Sequence, residues 1–316
     1  MKIFLSILLI LTSLFSSDIK PEKEIEVSGS VMDMKIYNDF LYIGTDTGTL
    51  EVYDIKKDTF TDKIKLKNIH DFMGDVIPPK VYSVDVLDNK KLLLAQGENG
   101  SREVYIHENN QTVKVIDKDA KLTIQKAKFI DKNLLFLGLL SNEIVLFDIK
   151  NKKQLYIKQL SQSKFSDFAL NEDKTKAVIS CESGINYLVQ VKDAKVIKEL
   201  KGGNKDNVFK IAFKNGKISA AGQDRLGVVY DEKSGNITNS YNSTFLIYAT
   251  RLDDEATRAA FSFGTDNEIA IFNLTTNVKT DNLKGQKSTL NSILFYNNNT
   301  LFSGSDDKYI MKWKLK

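Results

Sequence analysis

The sequence predicts an all-β fold assembled from a repeated unit, and three observations support this prediction. A glycine that ends one apolar strand pattern and opens a polar turn recurs along the chain, at Gly44, Gly138, Gly222, Gly264 and Gly304. The strand pattern after each turn ends on an aromatic residue: Tyr53, Phe147, Tyr230, Phe272 and Trp313. The later anchor positions, from 138 through 180, 222 and 264 to 304, lie about 42 residues apart, which is the period of β-propeller blades.

Taken in order, the repeats divide the chain into seven units. The first six each hold four short strand patterns separated by polar turns, which is the content of one blade: residues 31–66, 81–116, 124–160, 165–200, 208–241 and 246–283. The seventh unit, residues 290–315, has only three patterns. A strand at residues 24–28 can supply the missing outer strand and remove an open sheet edge. We therefore predict a seven-bladed β-propeller, WD-repeat-like, whose ring is closed by the N-terminal strand completing the last blade.

Residues 1–17 have the pattern of a secretory signal peptide. Lys2 precedes an apolar run over residues 3–15, and small polar residues follow. The run is shorter than the roughly 20 apolar residues that cross a membrane. We predict cleavage near Ser16 or Ser17, a single propeller domain over residues 18–316, and a periplasmic location in a Gram-negative cell without stable membrane insertion. An uncleaved membrane anchor is the alternative.

The composition narrows the classes of function. The formal net charge is +4 and no block of basic residues occurs, so we predict no nucleic-acid partner. Two histidines exclude a multi-histidine metal site, and the single cysteine, Cys181, predicts a buried inert thiol rather than a disulfide. Nucleotide-binding glycine loops and nucleophile elbows are missing from the sequence. We therefore predict a monomer that is not an enzyme, with no catalytic residues, no cofactor and no metal.

Residues 67–80, between the first two units, are the strongest candidate for a functional site. Other connections between units, such as residues 161–164, are shorter, and this one holds two of the three prolines. Phe72 and Met73 stand beside Gly74, a pattern typical of an exposed docking loop. The alternative is a packed loop in which Phe72 and Ile77 plug the ring.

The predicted partner-binding residues lie in this loop and at two arginines expected at the same end of the ring: His70, Asp71, Phe72, Met73, Asp75, Arg225 and Arg251. A guanidinium group suits an acidic partner. The alternative for the arginines is a structural ion pair with Asp224 or Asp253. A metal site built from the loop's histidine, carboxylates and thioether would mix hard and soft ligands, which disfavours it.

Residues 304–313 resemble the end of a WD-repeat blade, with Trp313 at the usual tryptophan position. Three other units carry a different aromatic residue followed by aspartate at that place: Tyr53-Asp54, Phe147-Asp148 and Tyr230-Asp231. The Gly-His dipeptide of the WD-repeat family is absent. The sequence therefore does not predict the hydrogen-bonded tetrad that is built on this dipeptide.

The whole chain also resembles the NapL family of periplasmic nitrate reductase accessory proteins from epsilonproteobacteria. The resemblance rests on the signal peptide, the propeller rich in lysine and asparagine, and the loop from His70 to Pro79. It implies a non-enzymatic, protein-binding role in the assembly or activity of the periplasmic nitrate reductase system. The implied partners are subunits of that system, and the resemblance supplies no catalytic residues.

Two functions of other classes are alternatives. A lactonase-like channel enzyme or small-ligand binder would need carboxylates on the inner strands, where Asp33, Asp85 and Asp167 are the candidates. A scaffold for envelope assembly would share the exported propeller. Such scaffolds usually have tryptophan-rich repeats, whereas this chain has one tryptophan.

Overall fold

The computed structural model describes residues 17–316, and it confirms the predicted seven-bladed β-propeller. Each blade contains four antiparallel strands that run from the central channel to the rim, and blade six has a fifth strand that pairs in parallel at its outer edge. The predicted signal peptide lies outside the described residues except for Ser17, which begins the first strand. Within residues 17–316, no helix has the length and apolar character needed to cross a membrane.

Blades one to four follow one another along the chain, each listed from its inner to its outer strand. Blade one contains β3 (Val31–Tyr37), β4 (Phe40–Thr45), β5 (Thr49–Asp54) and β6 (Thr59–Lys65). Blade two contains β9 (Val81–Leu87), β10 (Lys90–Gln96), β11 (Arg102–Glu108) and β12 (Gln111–Ile116). Blade three contains β13 (Ile124–Phe129), β14 (Leu134–Leu139), β15 (Glu143–Asp148) and β16 (Lys153–Gln159). Blade four contains β17 (Phe165–Leu170), β18 (Lys176–Cys181), β19 (Asn186–Gln190) and β20 (Val196–Leu200).

The last three blades include both N-terminal strands. Blade five contains β21 (Val208–Lys214), β22 (Lys217–Gly222), β23 (Leu226–Asp231) and β24 (Ile237–Asn242). Blade six contains β25 (Thr250–Leu252), β26 (Arg258–Phe263), β27 (Glu268–Asn273), β28 (Val278–Leu283) and the added β1 (Ser17–Ile19). Blade seven contains β29 (Leu290–Asn297), β30 (Thr300–Ser305), β31 (Tyr309–Lys314) and β2 (Lys23–Glu26). A separate hairpin, β7 (Ile69–His70) and β8 (Val76–Ile77), and two short 3₁₀ turns, η1 (Glu98–Gly100) and η2 (Lys118–Ala120), complete the described elements.

The apolar core lies between the blades. Seven clusters of buried residues occur in the described part of the chain, and each draws its members from two neighbouring blades. Strands in the middle of a blade are therefore covered on both faces, as in β5, which is buried along its whole length. The outer strand β6 faces solvent and is mostly exposed. Cys181 is buried in β18, as predicted.

The repeated glycines allow neighbouring blades to approach closely. A Cβ atom on Gly138 would lie 2.5 Å from the ring of Phe165 in the next blade. A Cβ atom on Gly304 would lie 2.7 Å from Val31, across the boundary between blades seven and one. Only a residue without a side chain fits at such a distance. At Gly44, Gly138 and Gly304 the anchor glycine of the repeat therefore marks a contact between blades.

The ring closes as predicted and also in a second way that the sequence did not indicate. Strand β2 pairs antiparallel with β31, with Ile25 opposite Ile310, and so supplies the fourth strand of blade seven. Strand β1 pairs parallel with the outer strand of blade six, with Asp18 opposite Asn282. The N-terminal segment therefore spans the outer edges of two neighbouring blades.

Blade seven contains a buried hydrogen-bonded chain that the sequence did not predict. The Trp313 indole N–H donates to Ser303 Oγ at 2.8 Å, and that hydroxyl donates to Gln286 Oε1 at 2.6 Å. Gln286 Nε2 donates to Ser305 Oγ at 2.6 Å, and Ser305 Oγ donates to Asp307 at 3.0 Å. A glutamine amide, which both donates and accepts, can bridge such a chain without histidine.

Candidate functional site

Residues 67–80 form an ordered hairpin between blades one and two. Ile69 lies opposite Ile77, and His70 lies opposite Val76. Asp71 closes the turn, because its amide donates to the Asp75 carbonyl at 3.0 Å. The Asp71 carboxylate also accepts the amides of Met73 at 2.8 Å and Asp75 at 2.9 Å. Asp71 therefore fixes the backbone of the turn, in addition to its predicted role in binding a partner.

The tip of the hairpin carries the most exposed large apolar side chains of the described chain. Phe72 is 81% exposed, Met73 74% and Val76 62%, whereas the next such residue, Val113, is 55% exposed. Ile69 is buried and anchors the base of the hairpin. The alternative of a packed loop that plugs the ring is therefore wrong, because its aromatic side chain faces solvent.

The seven predicted site residues occupy three places. The hairpin holds five of them, and His70 and Asp75 are exposed there. Arg225 is exposed in the turn between β22 and β23 of blade five, at the same end of the ring as the hairpin. Arg251 lies on β25 and lines the central channel. The structure therefore separates the two arginines from the hairpin and from each other.

The expected ion pairs of the two arginines do not form. Asp224 accepts the Lys205 amide at 2.7 Å and the Asn204 side chain at 3.0 Å. Asp253 is paired with Arg258 at 3.0 Å. Asp224 and Asp253, which the sequence suggested as partners of the two arginines, therefore bind other residues.

The central channel contains a cavity of about 370 Å³. In several blades the inner strand shifts register against its neighbour near the start of the strand, and the residue after the shift lines this cavity: Asp33, Lys126, Asp167, Lys210 and Ser292. A β-bulge re-aims the side chains that follow it. The bulges therefore help to direct charged residues into the channel.

The three inner-strand aspartates join neighbouring blades and do not gather into a metal site. Each accepts an amide from the inner strand of the following blade: Asp33 from Val84 at 2.9 Å, Asp85 from Phe129 at 2.9 Å, and Asp167 from Ile211 at 3.0 Å. Each also faces a lysine: Lys128 at 3.3 Å, Lys35 at 3.6 Å and Lys126 at 2.6 Å, respectively. Over residues 17–316, no three histidine, cysteine or carboxylate side chains lie close enough to hold a metal together. The carboxylate channel site expected for the lactonase-like alternative is therefore not formed.

Burial and the channel lysines shift the pKa values of two groups in the channel, Lys126 and Asp33. Burial lowers the pKa of Lys126 to about 8, with a smaller contribution from the charges of Lys128 and Lys210 and against the attraction of Asp167. Burial would raise the pKa of Asp33, but Lys128, Lys210 and Lys126 hold it at about 2. The shift of Asp33 shows that the lysine charges outweigh its burial, whereas the shift of Lys126 is caused chiefly by burial.

This arrangement predicts that Lys126 makes the stability of the protein depend on pH. The pKa of Lys126 falls from 10.5 in the unfolded chain to about 8 in the folded protein. Between these values the unfolded state binds more protons, so the contribution of Lys126 to the free energy of unfolding increases as pH rises. We expect the difference in the free energy of unfolding between the wild type and Lys126→Met to change by about 3 kcal/mol from pH 7.5 to 10.5.

Urea unfolding at a series of pH values measures this difference. The charged groups that act on Lys126 are Asp167, Lys128, Lys210 and Asp33. Lys158→Met, at an exposed position of β16, is the matched control and should give a difference that does not vary with pH. A flat difference for Lys126→Met as well would show that Lys126 titrates normally.

The channel lysines were missed by the sequence analysis. The segment Ile124–Phe129 alternates apolar and charged residues, and its two lysines point into the channel. This alternation was the available signal, because the inner strand of a blade has one face toward the channel. The role of these lysines depends on which neighbouring strands supply carboxylates, and only the tertiary structure shows that.

Among solved structures, the β-propeller domain of Cps50 (Swd1) from Myceliophteria thermophila is similar to this chain. The two share 12% sequence identity with a TM-score of 0.76, over 94% of this chain and 99% of that one. No protein-family model and no curated protein sequence matches the chain. At this identity the likeness shows a WD-repeat-like β-propeller fold, and function has to be argued from the site.

Proposed function

We propose that this protein is a non-enzymatic, protein-binding propeller of the periplasm that captures its partner with the β7–β8 hairpin. One observation carries the proposal: the three most exposed large apolar side chains of the described chain, Phe72, Met73 and Val76, lie on one ordered hairpin. Exposed apolar side chains that occur together mark interaction sites. Aromatic residues are among those that contribute most to binding when a partner covers them.

The hairpin is suited to binding because its conformation is set before the partner arrives. The Asp71 carboxylate holds two amides of the turn, and buried Ile69 fixes the base. A segment that is already ordered loses less entropy on binding than a flexible loop. His70 and Asp75 are exposed beside the apolar tip, where they can orient a partner through polar contacts.

We further propose that the partner is a subunit of the periplasmic nitrate reductase system, so that the protein acts as an accessory factor. Support for this step comes from the sequence resemblance, carried by the loop from His70 to Pro79 and the signal-peptide pattern. Arg225, exposed at the same end of the ring, is available for an acidic segment of that partner.

The hairpin proposal predicts the loss of partner capture when both tip residues are removed. Phe72→Ala with Met73→Ala should weaken binding by about 30-fold or more, since two anchors worth about 2 kcal/mol together are lost. The measurement is an affinity pull-down of tagged protein from periplasmic extract, with mass spectrometry of the recovered proteins. Val113→Ala with Leu155→Ala, exposed apolar positions on the outer strands of blades two and three, is the matched control.

The outcomes separate the two parts of the proposal. Equal capture by the tip variant and the control would reject the hairpin as the binding site. A tip-dependent partner that is not a nitrate reductase subunit would retain the docking site and reject the accessory role. The tip variant should melt at the wild-type temperature, since its changed side chains face solvent. A collapsed melting transition would make the hairpin a structural element.

A further inference from the structure

We propose that the central channel binds a small multivalent anion, with phosphate or carboxylate oxygens, between Lys210 and Arg251. Lys210 lies on β21, the inner strand of blade five, and Arg251 lies on β25, the inner strand of blade six. These inner strands are neighbours, and both side chains line the cavity. This site is independent of the hairpin on the ring's end.

The cavity walls carry more basic than acidic side chains. Four acidic residues line it: Asp33, Asp85, Asp167 and Glu172. Seven basic residues line it: Lys35, Lys126, Lys128, Lys174, Lys210, Lys214 and Arg251. Such an excess of one sign inside a narrow cavity concentrates the opposite charge there, because the surrounding protein screens less than bulk water.

Lys210 and Arg251 are the inner-strand basic residues without a carboxylate partner. Four other inner-strand lysines are paired: Lys35 with Asp85, Lys126 with Asp167, Lys128 with Asp33, and Lys214 with Asp254 at 3.1 Å. In residues 17–316, neither Lys210 nor Arg251 forms an ion pair within 4.0 Å. An anion bound between these two neighbouring inner strands would supply both cations with a partner.

The carboxylates nearby are not available to neutralise these two cations. Asp167 is engaged by the Ile211 amide and by Lys126, and Asp33 by the Val84 amide and by Lys128. Glu172 accepts the Asn215 amide at 2.6 Å. Besides its partner Lys128, the charges of Lys210 and Lys126 also help to hold the pKa of Asp33 at about 2.

The shape and chemistry of the cavity select the class of anion. Its volume of about 370 Å³ is at the small end of ligand pockets, so a small molecule fits. A guanidinium group presents two parallel N–H donors that match the paired oxygens of phosphate or carboxylate. The ammonium group of Lys210 adds a compact point charge from the neighbouring blade. A multivalent anion gains from both groups, whereas chloride cannot use the paired donors of Arg251.

Isothermal titration calorimetry of the full chain with inorganic phosphate, and separately with citrate, tests the site. Each titration is run at pH 7, with a sodium chloride titration at equal ionic strength as the reference. We expect saturable binding of at least one of the two anions. Binding of phosphate assigns the site to phosphate oxygens, and binding of citrate alone assigns it to carboxylate oxygens.

Variants of the two unpaired residues locate the site. Lys210→Gln and Arg251→Gln should each weaken the affinity for the anion about tenfold or more, which corresponds to about 1.4 kcal/mol. Arg251→Lys keeps the charge but loses the paired donors, so its loss should be smaller. The control is Lys158→Gln on the exposed face of β16, which should bind as the wild type does.

Two results would overturn the proposal: no heat beyond the sodium chloride reference with either anion, or channel variants that bind as tightly as the wild type. Neither Lys210 nor Arg251 holds an ion pair in the described structure, so their substitution should leave the melting temperature near that of the wild type. If Arg251→Gln nonetheless failed to fold, Arg251→Lys and Lys210→Gln would carry the test.

Discussion

Replacing Trp313 with alanine is expected to lower the free energy of unfolding by about 3–5 kcal/mol. Trp313 is fully buried in the cluster between blades six and seven, where Ile19, Leu283 and Leu301 are other members. Its removal leaves a cavity at the closure of the ring and takes the indole N–H from Ser303. Chemical unfolding followed by circular dichroism measures the change, because Trp313 is the single tryptophan and its fluorescence is lost.

Trp313→Phe separates the cavity from the hydrogen bond. Phenylalanine refills much of the volume but cannot donate to Ser303, so we expect a smaller loss, about 1–3 kcal/mol. Leu155→Ala, at an exposed position of β16, is the control and should change stability by less than about 0.5 kcal/mol. Equal losses for the two Trp313 variants would contradict a contribution from packing at this site.

Replacing Asp167 with alanine is expected to lower the free energy of unfolding by about 3–5 kcal/mol. The Asp167 side chain is 3% exposed and joins blades four and five, since it accepts the Ile211 amide at 3.0 Å and pairs with Lys126 at 2.6 Å. Without Asp167, Lys126 remains as a partly buried cation, 19% exposed, beside Lys128 and Lys210. The loss comes chiefly from that uncompensated charge, and thermal and urea unfolding both measure it.

The double variant Asp167→Ala with Lys126→Met tests this explanation. Removing the unpaired charge of Lys126 should recover about 1–3 kcal/mol relative to Asp167→Ala alone, because the effects of substitutions in one ion pair are not additive. Asp85→Ala is a matched single variant, since Asp85 also accepts an amide of the next blade but its lysine is 3.6 Å away. We expect Asp85→Ala to cost less. If the double variant showed the sum of the two single losses, the charge explanation would be wrong.

Most of the fold could be predicted from the sequence because each blade repeats the same local pattern of strands, turns and glycines. The anchor glycines Gly44, Gly138 and Gly304 are required where a neighbouring blade approaches, as at Gly304 beside Val31. The closing strand β2 was predictable because the seventh unit lacked an outer strand. Strand β1 was not, since three residues next to a signal-peptide pattern carry no periodicity and their parallel pairing with β28 is a tertiary contact.

The candidate sites were predictable to different degrees. The exposure of Phe72 and Met73 followed from an unusually long connection, and their role in binding a partner stays a prediction. The channel was interpreted through its carboxylates, Asp33 and Asp167 among them, as a metal site of the enzyme alternative. The sequence does not show that each carboxylate is taken by an amide of the next blade, so the surplus lysines were not recognised.

The N-terminal segment that spans blades six and seven also constrains the order in which the molecule can fold. Residues 17–26 are synthesised before their partner strands β28 and β31, which lie at the far end of the propeller sequence. Asp18 and its hydrogen-bond partner Asn282 are 264 residues apart in the chain. Closing so long a loop costs entropy before any contact compensates for it, so these pairings form late. Until then the outer edges of β28 and β31 are unpaired, and an incomplete chain exposes two strand edges to which other chains can pair.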